Sequence, residues 1–132
     1  MEIRVGQSAS ITKMITEKDV IGFSEISGDS NPVHINPEAA KKSVFGRQVA
    51  HGMLVGSLFS AILGTVFPGP GTIYLEQDLK FLLPVFFNDT ITATITVKEI
   101  LNEKKGIYRF DTEAVNQDGK RVIEGYAVIM YR

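Results

Sequence analysis

The stretch His51 to Phe67, HGMLVGSLFSAILGTVF, constrains the fold of this chain more than any other. Met53, Leu54, Val55, Leu58, Phe59, Ala61, Ile62, Leu63, Val66 and Phe67 leave no polar face wide enough for water. A helix that is apolar all round is a buried helix. At 1.5 Å per residue the stretch spans only about 25 Å, and Ser57, Ser60 and Thr65 interrupt it. A bilayer span needs about 20 predominantly apolar residues, so the expected cover is protein and no membrane partner is expected. Residues 71 to 132 read as strands throughout. The expectation is an α+β fold in which an antiparallel sheet wraps a long buried helix over about residues 52–66.

The segments before that helix carry clear local signals. Residues 3–15 alternate weakly and read as an opening edge strand. Thr16 is a candidate N-cap, with Asp19 as the capping-box acid and Ile15 and Val20 at the hydrophobic-staple positions. Val20, Phe23 and Ile26 are expected to form the inward face of the helix that follows, and Gly28 suits its left-handed end. Between them, Asn31-Pro32 and Asn36-Pro37 bracket the run GDSNPVHIN. Residues before proline avoid the α region, so this run is expected to be an ordered, extended loop. Asn36 then caps a short helix with Pro37 at its first position.

After the central helix, Pro68 to Gly71 turn the chain and four strands follow. In the first, Ile73, Leu75, Gln77, Leu79, Phe81 and Leu83 should share one face. In the second, Ile91, Ala93, Ile95 and Val97 alternate with Thr92, Thr94 and Thr96, a period of two. Turns at 102–106 and 116–119 introduce the last two.

Composition excludes several classes of function. The chain of 132 residues reads as one domain, 1–132, with no repeat or linker. Its net charge is −1 with no basic block, which argues against nucleic acid or an anionic membrane as partner. There is no cysteine, so disulfides, thiolate metal sites and a cysteine nucleophile are excluded, and a cytoplasmic location is expected. The opening MEIRVGQSAS has no apolar run after a basic region, so no signal peptide is expected.

Candidate chemistry gathers around two histidines, His34 and His51. Asp29 lies five residues before His34, and a carboxylate near an imidazole can hold a water, remove its proton and return one elsewhere. The plainer readings are that Asp29 makes an Asx-type turn and that His34 is a packing residue. Gly52 opens the central helix, so its N–H lacks an intrahelical partner. That N–H suits developing negative charge on a carbonyl oxygen, or Gly52 simply permits tight packing. His51 reads as a loop or N-cap residue behind the site. Ser57 and Ser60 lack a G-x-S-x-G setting, which makes a serine hydrolase a poor reading. Two histidines without clustered acids make no metal site expected.

Asp29-Ser30-Asn31-Pro32-Val33-His34 followed by Ala50-His51-Gly52-Met53 resembles the hydratase motif of the MaoC-like hot-dog proteins, most closely the short R-specific enoyl-CoA hydratases. The resemblance continues through Gly71-Thr72-Ile73-Tyr74-Leu75 and Phe81-Leu82-Leu83-Pro84-Val85. It implies a hot-dog fold, a homodimer joined edge to edge, and an acyl-CoA substrate, with neither cofactor nor metal. It implies reversible hydration of a trans-2-enoyl-CoA to the (R)-3-hydroxyacyl-CoA, a reaction used in fatty-acid oxidation, polyhydroxyalkanoate supply and butyrate-type metabolism. Asp29 and His34 would hold the water, Gly52 N–H would polarise the thioester, and Asn31 would fix the loop. Ser60 and Leu63, three apart on the helix, are expected to line the acyl pocket. A hot-dog thioesterase and a non-catalytic acyl-binding module are the alternatives.

Overall fold

The computed structural model covers residues 1–132. In chain order the elements are β1 (Ser8–Met14), α1 (Glu17–Ser27), α2 (Pro32–Ile35), α3 (Pro37–Lys41), α4 (Gly52–Ala61), a π-helical turn (Ile62–Val66), β2 (Ile73–Phe81), β3 (Thr90–Asn102), β4 (Ile107–Val115) and β5 (Arg121–Met130). The strands form one antiparallel sheet in the order β1-β3-β4-β5-β2. Its inner face packs on α4 and the π-turn, the expected hot-dog arrangement.

The period of two in β3 buries Ile91, Ala93, Ile95 and Val97. Phe110 and Ala114 of β4 and Ile123, Ala127 and Ile129 of β5 continue that face. Against it lie Val55, Leu58, Phe59, Ile62 and Leu63. Helix and π-turn together match the expected 52–66, but the last turn is wider than an α-turn, with Phe67 N–H donating to the Ile62 carbonyl at 2.9 Å.

Four expectations are corrected. The helix is not enclosed on all sides within one chain, because Met53, Ser57, Ser60 and Val66 form an outward stripe. Ile26 is 89% exposed, and Ser24 takes the inward place beside Val20. Positions 20 and 24 are one α-turn apart and 26 falls on the other side. Residues 28–36 are not extended throughout. Pro32 starts α2, because its fixed φ suits a first helical position and Asn31 caps it by accepting from Val33 N–H at 3.3 Å. In β2, a bulge at Leu75 shifts the alternation. Tyr74, Gln77, Leu79 and Phe81 pair with the inner residues Ile129, Ala127, Gly125 and Ile123, which puts Ile73 on the other face. Leu83 lies beyond the strand.

The start of α1 is as read from the sequence. Thr16 accepts from Asp19 N–H at 3.2 Å, and the Asp19 carboxylate accepts from Thr16 N–H at 3.0 Å. That second bond, aided by Lys13 at 3.2 Å and opposed by burial, holds the Asp19 pKa below its ordinary 3.8. A lowered native value stabilises the fold at neutral pH, and the contribution is lost as pH falls below 3.8 and through the native value. Asp19→Asn should therefore lower the melting temperature at pH 7 and change it little at a pH below both values. Thr16→Ala should cost about 1 kcal/mol in denaturant titration.

Candidate active site

The site is built where three segments meet. The first is the turn leaving α1, where Gly28 sits at φ 80. Asp29 follows it, exposed, with its Oδ1 accepting from Asn31 N–H at 3.3 Å. The Asx-type turn thus exists, and it uses one carboxylate oxygen. The other makes no hydrogen bond within the chain. Asn31 caps α2, whose last turn presents His34.

The second segment is the strap 47–51 leading into α4. His34 Nδ1–H donates to the Val49 carbonyl at 2.7 Å, and Gln48 Nε2–H donates to the His34 carbonyl at 2.9 Å. With Nδ1 protonated and anchored, the neutral His34 ring keeps Nε2 as an acceptor. His51 is buried, with Nε2–H donating to the Asp29 backbone carbonyl at 2.9 Å. It stacks on His34 with ring centroids 3.9 Å apart.

The third segment is Phe81 to Val85. Val85 accepts from Ala50 N–H at 2.8 Å, and Val49 bridges to Phe86. Phe81 closes on Gly52: a Cβ there would lie 2.6 Å from the ring. Gly52 begins α4, and its N–H has no partner within the chain.

Asp29, Asn31, His34 and Gly52 all line one open cavity of about 530 Å³, walled mainly by apolar groups such as Val33, Phe45, Leu82 and Pro84. Ser60 and Leu63 do not line it. Ser60 faces a second cavity of about 460 Å³ beside Phe23, Ser57, Tyr74 and Leu79, with Met53 on the border of both. Leu63 is fully buried in the core. Although positions three apart on an α-helix are neighbours, the two have different surroundings: Ser60 is exposed on the last α-turn, whereas Leu63 lies in the π-turn and is turned into the core. Burial pushes the Tyr74 phenol up to about 12, so it stays neutral beside that second cavity.

Asp29, His34 and His51 have donor atoms within 4.8 Å of one another. Their geometry favours proton chemistry over a metal. Metal-binding lone pairs lie in the imidazole plane, and two rings stacked at an interplanar angle of 27° send theirs side by side rather than to one point. What the arrangement offers is a carboxylate oxygen, an imidazole nitrogen and a backbone N–H around one apolar cavity. The sequence places His51 behind the site and Phe81 on a strand face, but their contacts with His34 and Gly52 join segments far apart in the chain and carry no local signal.

The MaoC-like domain family matches residues 2–118. The (R)-specific enoyl-CoA hydratase of Rhodospirillum rubrum is 48% identical over 129 residues, 98% of this chain and 88% of that protein. The 3-hydroxybutyryl-CoA dehydratase of Methylorubrum extorquens is 39% identical over 104 residues, 79% of this chain and 66% of that protein. Among solved structures, the (R)-hydratase of Aeromonas caviae involved in PHA biosynthesis superposes with a TM-score of 0.93 at 41% identity, covering 98% of both chains.

The two glycines of α4 give a test of the packing beside the site. A Cβ at Gly52 would meet the rigid Phe81 ring at 2.6 Å, whereas one at Gly56 would meet a Leu79 methyl at 3.0 Å. Gly52→Ala should destabilise by about 1–3 kcal/mol, more than Gly56→Ala. Adding Phe81→Leu to Gly52→Ala should recover part of the loss in thermal unfolding.

Proposed function

The chain belongs to the MaoC-like domain family, and from that premise we propose that it is a hydro-lyase interconverting a trans-2-enoyl-CoA and the (R)-3-hydroxyacyl-CoA. The observation that carries the reading is the convergence of Asp29, His34 and the unpartnered Gly52 N–H on one cavity. One water is held between Asp29 and His34 Nε2. Asp29 takes a proton from it as its oxygen bonds to C3 of the enoyl thioester. The C2=C3 π electrons move onto the thioester carbonyl, whose oxygen accepts from Gly52 N–H. Such a donor is worth several kcal/mol when aimed at charge that develops in the transition state. A proton then passes to C2 from the Asp29–His34 pair, His34 sharing in its delivery, so that H and OH add across the double bond. Asn31 holds the turn that carries Asp29. The reaction is redox neutral, and these steps need no cofactor.

A homodimer and a cytoplasmic setting belong to the same proposal. The β1 edge carries Ser8, Ser10, Thr12 and Lys13, the kind of polar, charged edge that discourages pairing. The β2 edge instead exposes Ile73 and Leu75, the latter next to the outward Met53 of α4. A second copy on β2 would cover these groups and the open side of α4. The absence of cysteine fits a reducing compartment, and no helix is long and apolar enough to cross a membrane. Sedimentation should give twice the 14.5 kDa chain mass, and Leu75→Lys should shift the population toward monomer.

Turnover is tested with crotonyl-CoA, following loss of the conjugated enoyl absorbance while assaying free thiol. Absorbance should fall without thiol release. Asp29→Asn and His34→Gln should each lower kcat/KM by about 10²–10⁴-fold while remaining folded. Thiol release would instead make the protein a thioesterase. Binding without either change would make it a non-catalytic acyl-binding module.

A further inference from the structure

We infer that His51 is a positioning residue that sets Asp29 and His34 in register with Gly52, an inference that rests on the hydratase reading. The side chain is 2% exposed and makes no capping bond at the start of α4. Its Nε2 lies 2.9 Å from the Asp29 carbonyl oxygen and 3.1 Å from the buried Ser24 Oγ. With that nitrogen donating, Nδ1 is left as a buried lone pair with no partner. Leaving a buried polar atom unsatisfied costs stability. Capping alone would favour serine, threonine or aspartate, and packing alone would favour phenylalanine, which buries no such atom. Neither explains an imidazole.

What imidazole alone supplies here is a flat face and an N–H at right angles to that face's normal, in one rigid unit. The face supports His34 at 3.9 Å, with Phe23 packed at 4.8 Å. The N–H fixes the peptide of Asp29 from behind, while the Asp29 carboxylate is tied in front by Asn31 N–H. Because His51 precedes Gly52 in the chain, the same ring links both proton-transfer groups to the N–H that would polarise the substrate. A displacement of about 1 Å in such a set can cost about 10²-fold in rate.

Three variants separate the two contributions of the ring. His51→Gln places an amide N–H near the position of Nε2 but removes the face. His51→Phe keeps the face and removes the N–H. His51→Asn reaches only as far as Nδ1 and keeps neither. With crotonyl-CoA, each should lower kcat with KM within about twofold. Asn should lose about 10²-fold, and Gln should recover part of that loss. The ¹⁵N imidazole signals of His34 should report the fixed Nδ1–H tautomer in the wild type and in the Phe variant, which keeps the supporting face, and an averaged one in the folded Gln variant, which removes it. Retention of kcat within threefold in folded Asn and Phe variants, a loss confined to KM, or an unchanged His34 tautomer in the Gln variant would overturn the inference. A wild type that does not turn over crotonyl-CoA would overturn the hydratase reading instead, and the His34 tautomer would still decide the positioning.

Discussion

Burial of α4 and its π-turn against the inner face of the sheet is the interaction from which the other features follow. Val55, Leu58, Phe59, Ile62 and Leu63 are all lost from solvent, each contributing on the order of 1.5–3 kcal/mol. A helix pinned along its length has no freedom to slide, so its N-terminus falls at one place beside β2. There the two periods meet. Gly52 and Gly56 are one α-turn apart, about 6 Å along the axis. Phe81 and Leu79 face them and lie two residues apart on β2, about 6.8 Å. Small side chains on the helix opposite large ones on the strand let helix and sheet close, and the closure carries the Gly52 N–H to the cavity.

The other half of the site is held by hydrogen bonds rather than by packing. Residues 28–36 bury little apolar surface, and Asp29 and Asn31 are exposed. Their position comes from the strap 47–51. Val49 and Ala50 engage Val33, His34 and Val85, Gln48 holds the His34 carbonyl, and Arg47 lies 3.8 Å from the Phe86 ring centroid. Val49 N–H and C=O, Ala50 N–H, Gln48 Nε2 and His51 Nε2 of the strap are each committed to one of the two flanking segments. The core thus places Gly52, and the strap brings Asp29 and His34 to it.

The parts legible in the sequence were those governed by local rules. The Thr16–Asp19 capping box, the Asn36–Pro37 helix start and the alternation of β3 depend on residues within one element. The central helix announced itself by composition. The misreadings arose where one signal supports two structures. Asn31-Pro32 fits an extended segment and equally a capped first turn, and the same cue at Asn36-Pro37 opens a helix. An inward Ile26 looked natural by hydropathy, yet the polar Ser24 is buried because His51 meets it. The Leu75 bulge leaves no trace in the alternation of Ile73 to Phe81.

The sequence by itself determined that a long apolar helix packs against an antiparallel sheet, and it marked Asp29, His34 and Gly52 as candidates for chemistry. Periodicity, capping and motif are read over a few residues, and each is fixed by side-chain type alone. Only the tertiary structure decided that His51 stacks beneath His34, that Phe81 seals Gly52, and that Ser60 and Leu63 stand apart from the cavity. Those facts depend on how elements far apart in the chain approach one another. Rotation of the helix by a fraction of a turn would change them all without altering a single local preference.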